Sequence, residues 1–198
     1  MDRPLTDFDT AYDNSAAVPG SAEIGALLPE RASAFRARLA PETVTYGSQP
    51  RMELDVFRPT GASKGLVVFF HGGYWRMRHR TDWSHLAEGP LAQGWTVALP
   101  SYPLCPEVRI TDITRCALAA TACAAERATG PVLISGHSAG GHLASRMVCA
   151  DTELPAEVAA RVKGVLGISG VYDLRPLRRT AINETLRIDA AEAAAESP

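Results

Sequence analysis

Four short, uninterrupted apolar runs constrain this chain more than any other feature. They lie at Gly65–Phe70, Trp95–Pro100, Pro131–Ser135 and Val165–Ser169. A strand with one wet face alternates apolar and polar side chains, whereas a strand covered on both faces does not. Runs of this kind read as inner strands of a parallel sheet. Parallel neighbours need long crossovers, usually helical, and the intervals supply them: helices are predicted over 81–93, 110–128 and 138–150. Upstream, Thr43–Tyr46 and Met52–Phe57 do alternate. Gly47-Ser48-Gln49-Pro50 joins them, which predicts an antiparallel hairpin. The expected class is α/β: a mostly parallel, doubly wound sheet of about six strands, flanked by helices and opened by that hairpin. Residues 1–40 read as a helical N-terminal extension and 41–198 as the α/β domain, with a last helix over 183–195.

Composition narrows the function. The 198 residues are 46% hydrophobic and 21% charged, a globular balance rather than that of a disordered chain. A net charge of −2 gives no electrostatic footprint for nucleic acid. The apolar run Leu66–Phe70 is five residues long, against the ~20 that a bilayer span requires. The acidic N-terminus has no apolar core of a signal peptide. Cys105, Cys116, Cys123 and Cys149 form no C-x-x-C pair, so reduced, mostly buried thiols in a cytoplasmic protein are expected, without a metal. The expected partner is a small molecule, not nucleic acid or membrane; a homodimer is left open.

Two glycine-rich turns carry the chemistry. Gly136-His137-Ser138-Ala139-Gly140 stands directly after the third parallel run and before a helix. A serine in a sharp strand-to-helix turn is held in strained backbone and projects at the carboxyl end of the sheet, with a helix N-terminus beneath it. Ser138 is therefore the candidate nucleophile. The alternative for the same residues is a glycine-rich helix start that packs or binds an anion. His71-Gly72-Gly73-Tyr74-Trp75 follows the first parallel run. Acyl transfer needs fixed donors for a tetrahedral oxyanion, and bare glycine amides are suited to it. Gly72, Gly73 and Ala139 are the candidate oxyanion hole; an ordinary Gly-Gly turn is the alternative.

With those motifs in place, the chain resembles the α/β-hydrolase fold, in its hormone-sensitive-lipase-like branch, and most of all the kynurenine formamidase (arylformamidase) family. The matching residues are His71–Trp75, Gly136–Leu143, Ser169-Gly170-Val171-Tyr172-Asp173-Leu174 and Asn183-Glu184-Thr185-Leu186, within residues 40–198. The resemblance implies cleavage of N-formyl-L-kynurenine to formate and kynurenine through an acyl-serine, with no cofactor. It also implies that Tyr74 and Trp75 flank the acyl or aryl pocket; the alternative is that both pack beneath the oxyanion loop.

The pattern breaks downstream. A serine nucleophile in this fold is followed by an acid and then a histidine. The histidines here are His71, His79, His85, His137 and His142, with none later. His71 is expected to brace the oxyanion loop, His137 to point away from its neighbour Ser138, and His142 to enter the body of the fold. His79 and His85 read as surface residues. The family's sheet has eight strands against six here, and the strands without a counterpart are those whose loops bear the acid and the histidine. The chain is therefore expected to be C-terminally incomplete. Asp173, after the sixth strand, is a candidate acid or else a turn cap. Asp151 and Asp189 read as structural, and Arg175, Arg178 and Arg179 as a solvated run or a carboxylate clamp. The expected function is a serine hydrolase of a small amide or ester, arylformamidase-like. A short-acyl carboxylesterase and a non-catalytic binding protein are the alternatives.

Overall fold

The computed structural model describes residues 7–13 and 17–198, so positions 1–6 and 14–16 of the N-terminal extension lie outside the described residues. Short helix α1 (Phe8–Tyr12) precedes α2 (Ser21–Arg38). The hairpin follows as β1 (Glu42–Thr45) and β2 (Glu53–Phe57), then β3 (Leu66–Phe70), a 3₁₀ helix (Arg80–Ala87) running into α3 (Glu88–Ala92), and β4 (Thr96–Pro100). Next come α4 (Ile110–Ala125), β5 (Val132–His137), α5 (Ala139–Arg146), α6 (Ala156–Ala159) and β6 (Val162–Ile168). A second 3₁₀ turn (Pro176–Arg179), α7 (Asn183–Leu186) and α8 (Ala190–Ala195) complete the order.

The strands form one sheet in the order β1-β2-β4-β3-β5-β6. β1, β2 and β4 pair antiparallel, while β4, β3, β5 and β6 are parallel. Side chains alternate across the pleat and build a core on each face. Val68, Phe70, Val56 and Ala98 enter one core; Phe69, Phe57, Val97 and Leu99 enter the other. Helix α4 closes the first face with Ile110, Ile113, Ala117, Ala120 and Ala124, a three-and-four spacing that turns one stripe inward. Helix α2 and the first 3₁₀ helix close the second with Phe35 and Trp83. Asp55 of β2 is buried there. Burial would raise its pKa, but hydrogen bonds from Thr43 and Arg36 and the charge of Arg80 hold it below the usual carboxylate range.

Three expectations change. The helix over 81–93 is a 3₁₀ helix followed by α3, and Pro90, which has no N–H to donate, falls in the first turn of α3. The last helix splits at Arg187, which adopts left-handed backbone (φ 56°), and restarts on an Asp189 cap that accepts from the Glu192 N–H at 2.9 Å. Most consequential, β6 is not covered on both faces. It starts earlier than its apolar run and lies at the sheet's edge, with Leu166 60% and Ile168 43% exposed. The cysteines are free thiols, with Cys105 and Cys116 buried and Cys123 and Cys149 partly so. Among the described residues no helix is long and apolar enough to cross a membrane.

Candidate active site

The carboxyl ends of β3 and β5 bring the two glycine turns together. Ser138 sits between β5 and α5 with φ 55° and ψ −120°, a backbone region that side chains rarely adopt. Such a residue costs on the order of 1–3 kcal/mol and persists only where its surroundings over-determine it. Here they do. The Ser138 N–H donates to the Ile168 carbonyl at 2.9 Å, and its own carbonyl accepts from His142 N–H at 3.1 Å. A Cβ on Gly136 would lie 2.1 Å from the Gly140 carbonyl oxygen, and one on Gly140 would lie 2.0 Å from that of Phe70. Only bare backbone lets strand, helix and β3 approach this closely. Ser138 itself remains half-buried.

The turn after β3 presses on this elbow. A Cβ on Gly72 would stand 3.2 Å from the Ser138 Cβ and 2.9 Å from the His137 carbonyl oxygen, so Gly72 and Ser138 are in contact through backbone alone. Gly73 has φ 120°, in the region that favours glycine, and its carbonyl accepts from the N–H groups of Arg76 and Met77. The N–H groups of Gly72 and Gly73 donate to no backbone acceptor among the described residues. Ala139 opens α5, where an N–H has no acceptor within the helix. The structure thus collects three uncommitted amide donors around the elbow. Among the described residues no group of His, Cys, Asp and Glu is arranged to hold a metal ion.

His71 braces this turn. It is 1% exposed, and its Nδ1 meets the Gly72 carbonyl at 2.7 Å while its ring stacks on Tyr102 with centroids 4.3 Å apart. Burial pushes its pKa down to about 3, so the ring is neutral and Nδ1–H is the donor. Tyr102 also donates its hydroxyl to the His71 carbonyl at 2.6 Å. Arg51 continues the brace by donating to the carbonyls of Tyr102 and Arg78. Sequence reading missed Tyr102 and Arg51. The only signal was that Tyr102 follows a strand end, where side chains face the site.

The other histidines are placed elsewhere. His142 is fully buried, one turn into α5. Its Nε2 meets the Glu196 carbonyl at 2.6 Å, and burial lowers its pKa to about 4. Arg146 and Thr114 converge on the Glu196 carboxylate, at 3.3 and 2.7 Å. His137 packs beside Trp83, and burial lowers its pKa. His79 caps the first 3₁₀ helix through Thr81, and half-buried His85 lies on that helix. None of the five imidazole rings hydrogen-bonds Ser138 among the described residues. Asp173 is half-buried and engaged by Arg175 at 2.8 Å, which holds its carboxyl below the usual range. It has no histidine partner. Asp151 pairs with Arg146 at 2.8 Å and Asp189 with Arg109 at 3.0 Å.

Tyr74 and Trp75 part company. Trp75 is 0% exposed, packs edge-on against His142 at 5.1 Å and joins the core. Its side chain is thus enclosed by the core instead of facing solvent. Tyr74 stays half-buried, donates its hydroxyl to the Tyr12 carbonyl and lines a cavity of about 480 Å³.

A family profile described as the alpha/beta hydrolase fold matches residues 67–196. A kynurenine formamidase from Danio rerio is 30% identical over 172 residues, covering 82% of this chain and 58% of that protein. An isoprenylcysteine alpha-carbonyl methylesterase from Arabidopsis thaliana is 30% identical, covering 73% of this chain and 37% of that one. The chain therefore spans only about half, or less, of these curated relatives. A crystal structure described as a candidate thioesterase from Silicibacter sp. TM1040 superposes with a TM-score of 0.93 at 46% identity, covering 97% of this chain and 74% of that chain.

Proposed function

Because the chain belongs to the α/β-hydrolase family, we propose that it carries the nucleophile and oxyanion hole of a serine hydrolase acting on a small amide or ester. Ser138 Oγ forms the bond to the substrate carbonyl carbon and gives up its proton to a base. The oxyanion collects hydrogen bonds from the N–H groups of Gly72, Gly73 and Ala139. Collapse of the tetrahedral species expels the amine or alcohol and leaves an acyl-serine, which water then hydrolyses. Removing one oxyanion donor costs ~10²–10³ in turnover in such sites. The observation that carries this reading is the strained Ser138 backbone in contact with Gly72 beside uncommitted amides. The reading assigns nucleophile and oxyanion donors and no general base, since no imidazole among the five hydrogen-bonds Ser138 among the described residues.

Within this class, an arylformamidase-like substrate is favoured by the kynurenine formamidase relatives and by the Tyr12 and Tyr74 rings at the nearby cavity. The methylesterase relatives favour an ester as the second reading. Labelling with a fluorophosphonate tests the nucleophile: Ser138 should be modified and Ser138→Ala should not. Labelling that survives the substitution, or fails on the unaltered chain, removes the proposal. Turnover of N-formylkynurenine against p-nitrophenyl acetate separates formamide from ester preference.

A further inference from the structure

Backbone strain gathers in the turn after β3 that presses on the elbow. φ is 120° at Gly73, 47° at Tyr74, 54° at Trp75 and 75° at Arg78. Side chains rarely adopt this region, and residues in it persist only where their surroundings fix them. From within, the Gly73 carbonyl closes the turn on the N–H groups of Arg76 and Met77, both at 3.0 Å. From outside, the Cys105 N–H donates to the Trp75 carbonyl at 2.9 Å. The remaining anchor is Arg51, in the turn that joins β1 to β2. Its Nε–H donates to the Tyr102 carbonyl at 2.9 Å, and its Nη2–H donates to the Arg78 carbonyl. Tyr102 stacks on His71 and donates its hydroxyl to the His71 carbonyl. One guanidinium therefore reaches both ends of the strained turn, residue 78 directly and residue 71 through Tyr102. Gly72 and Gly73 lie between these two fixed points.

The surroundings of Arg51 suit a clasp and not a surface charge. The residue is half-buried, and no carboxylate hydrogen-bonds it among the described residues; Asp82 and Glu107 act on it through charge alone. Burial pulls its pKa below the ordinary guanidinium value, and the two carbonyls offset part of the lost hydration. A guanidinium carries its donors in a rigid planar fork and can hold two carbonyls from different segments, whereas an ammonium is a single point. The charge of Arg51 also reaches His71, where it adds to burial in keeping the ring neutral. That neutral ring donates Nδ1–H to the Gly72 carbonyl at 2.7 Å.

We propose that Arg51 is a positioning residue for the oxyanion turn, clasping its two ends so that the Gly72 and Gly73 amides keep their place beside Ser138. Its role rests on the serine-hydrolase reading above and deepens it. Arg51 acts through Tyr102, His71 and Arg78, not on the reacting atoms.

Two measurements on the whole chain test the clasp, each with Arg51→Lys and Arg51→Met. Saturation kinetics of Ser138 phosphonylation by a fluorophosphonate separate reversible binding from bond formation. Both substitutions should slow bond formation by about tenfold, Met more than Lys, and leave the half-saturating concentration unchanged; misplacing reacting groups by ~1 Å can cost ~10²-fold. Amide hydrogen exchange then separates positioning from general stability. The Cys105 N–H reports opening of the turn, and the Val68 N–H in β3 reports the sheet. Exchange should quicken by about tenfold at Cys105 and stay unchanged at Val68. Equal acceleration at both amides assigns Arg51 to general stability and overturns the clasp, as does unchanged exchange at Cys105. Arg51→Lys, the milder change, carries the test if Arg51→Met does not fold. The two readings fail separately. An unaltered chain that resists the fluorophosphonate refutes the nucleophile, and exchange at Cys105 then decides the clasp by itself. Labelling at the unaltered rate in both variants refutes the clasp and leaves the nucleophile standing.

Discussion

Strands β5 and β6 are parallel neighbours whose pairing shifts register once, between Val132 and Leu133, and both are apolar in sequence; yet they occupy opposite conditions. β5 lies between β3 and β6 and ends in a turn where glycines at 136, 140 and 141 fix every approach of the backbone. β6 has a neighbour on one edge, and none of its residues is fully buried. The difference teaches what surrounds a strained residue. Positive φ follows both strands, at Ser138 (55°) and at Ser169 (50°), but only the turn after β5 is pressed by the glycine turn after β3. The edge strand pairs with Gly136 and His137 and supplies the Ile168 carbonyl that accepts from the Ser138 N–H.

The largest effect should come from filling the turn after β5. Gly140→Ala places a methyl 2.0 Å from the Phe70 carbonyl oxygen. It should cost about 3 kcal/mol or more in urea unfolding and abolish labelling of Ser138. A variant that folds and labels normally would break the comparison at once. Acid comes next. Burial holds the pKa of His71 at about 3 and that of His142 at about 4, below the ordinary 6.5. Between those limits the unfolded chain binds protons that the native state refuses. Stability is therefore full above pH ~6.5 and falls as pH drops, by on the order of 1.4 kcal/mol per pH unit for each histidine. Urea midpoints at pH 7 and pH 5 measure it, and His142→Gln should reduce the slope. A smaller effect concerns strain: Ser138→Gly should be more stable than Ser138→Ala by on the order of 1 kcal/mol, because glycine accepts the elbow's φ. The smallest is expected on β6, where Leu166→Thr on the exposed face should change unfolding by less than about 0.5 kcal/mol. A large loss there would mean that the face is covered in solution.

The sheet and the elbow were legible because they rest on local rules. Apolar runs marked β3, β4 and β5, alternation marked the hairpin, and the spacing of Gly136, Ser138 and Gly140 needed only the strand before it and the helix after it. What sequence alone could not settle is position within the sheet. Leu66-Val67-Val68 and Val165-Leu166 read alike, but one is central and the other lies at an edge, and pairing order is a property of the whole chain. Trp75 illustrates the same limit at the site. Its place beside Tyr74 suggests a shared pocket, while the fold buries the Trp75 ring in the core and leaves Tyr74 half-buried. The brace by Tyr102 and Arg51 and the seating of Tyr12 against Tyr74 depend on contacts between distant segments, which no local pattern encodes.

The convergence on Glu196 has a practical consequence for anyone who rebuilds this scaffold. Its carbonyl receives the imidazole of His142 and its carboxylate receives Arg146 and Thr114, so the stretch after α8 fastens α4 to the helix that supports the nucleophile. Residues 190–198 are therefore not an interchangeable tail. A chimaera that imports a homologue's segment there must keep the backbone carbonyl at 196 within reach of His142, and an acid at 196 for Thr114 and for Arg146, whose other carboxylate partner is Asp151.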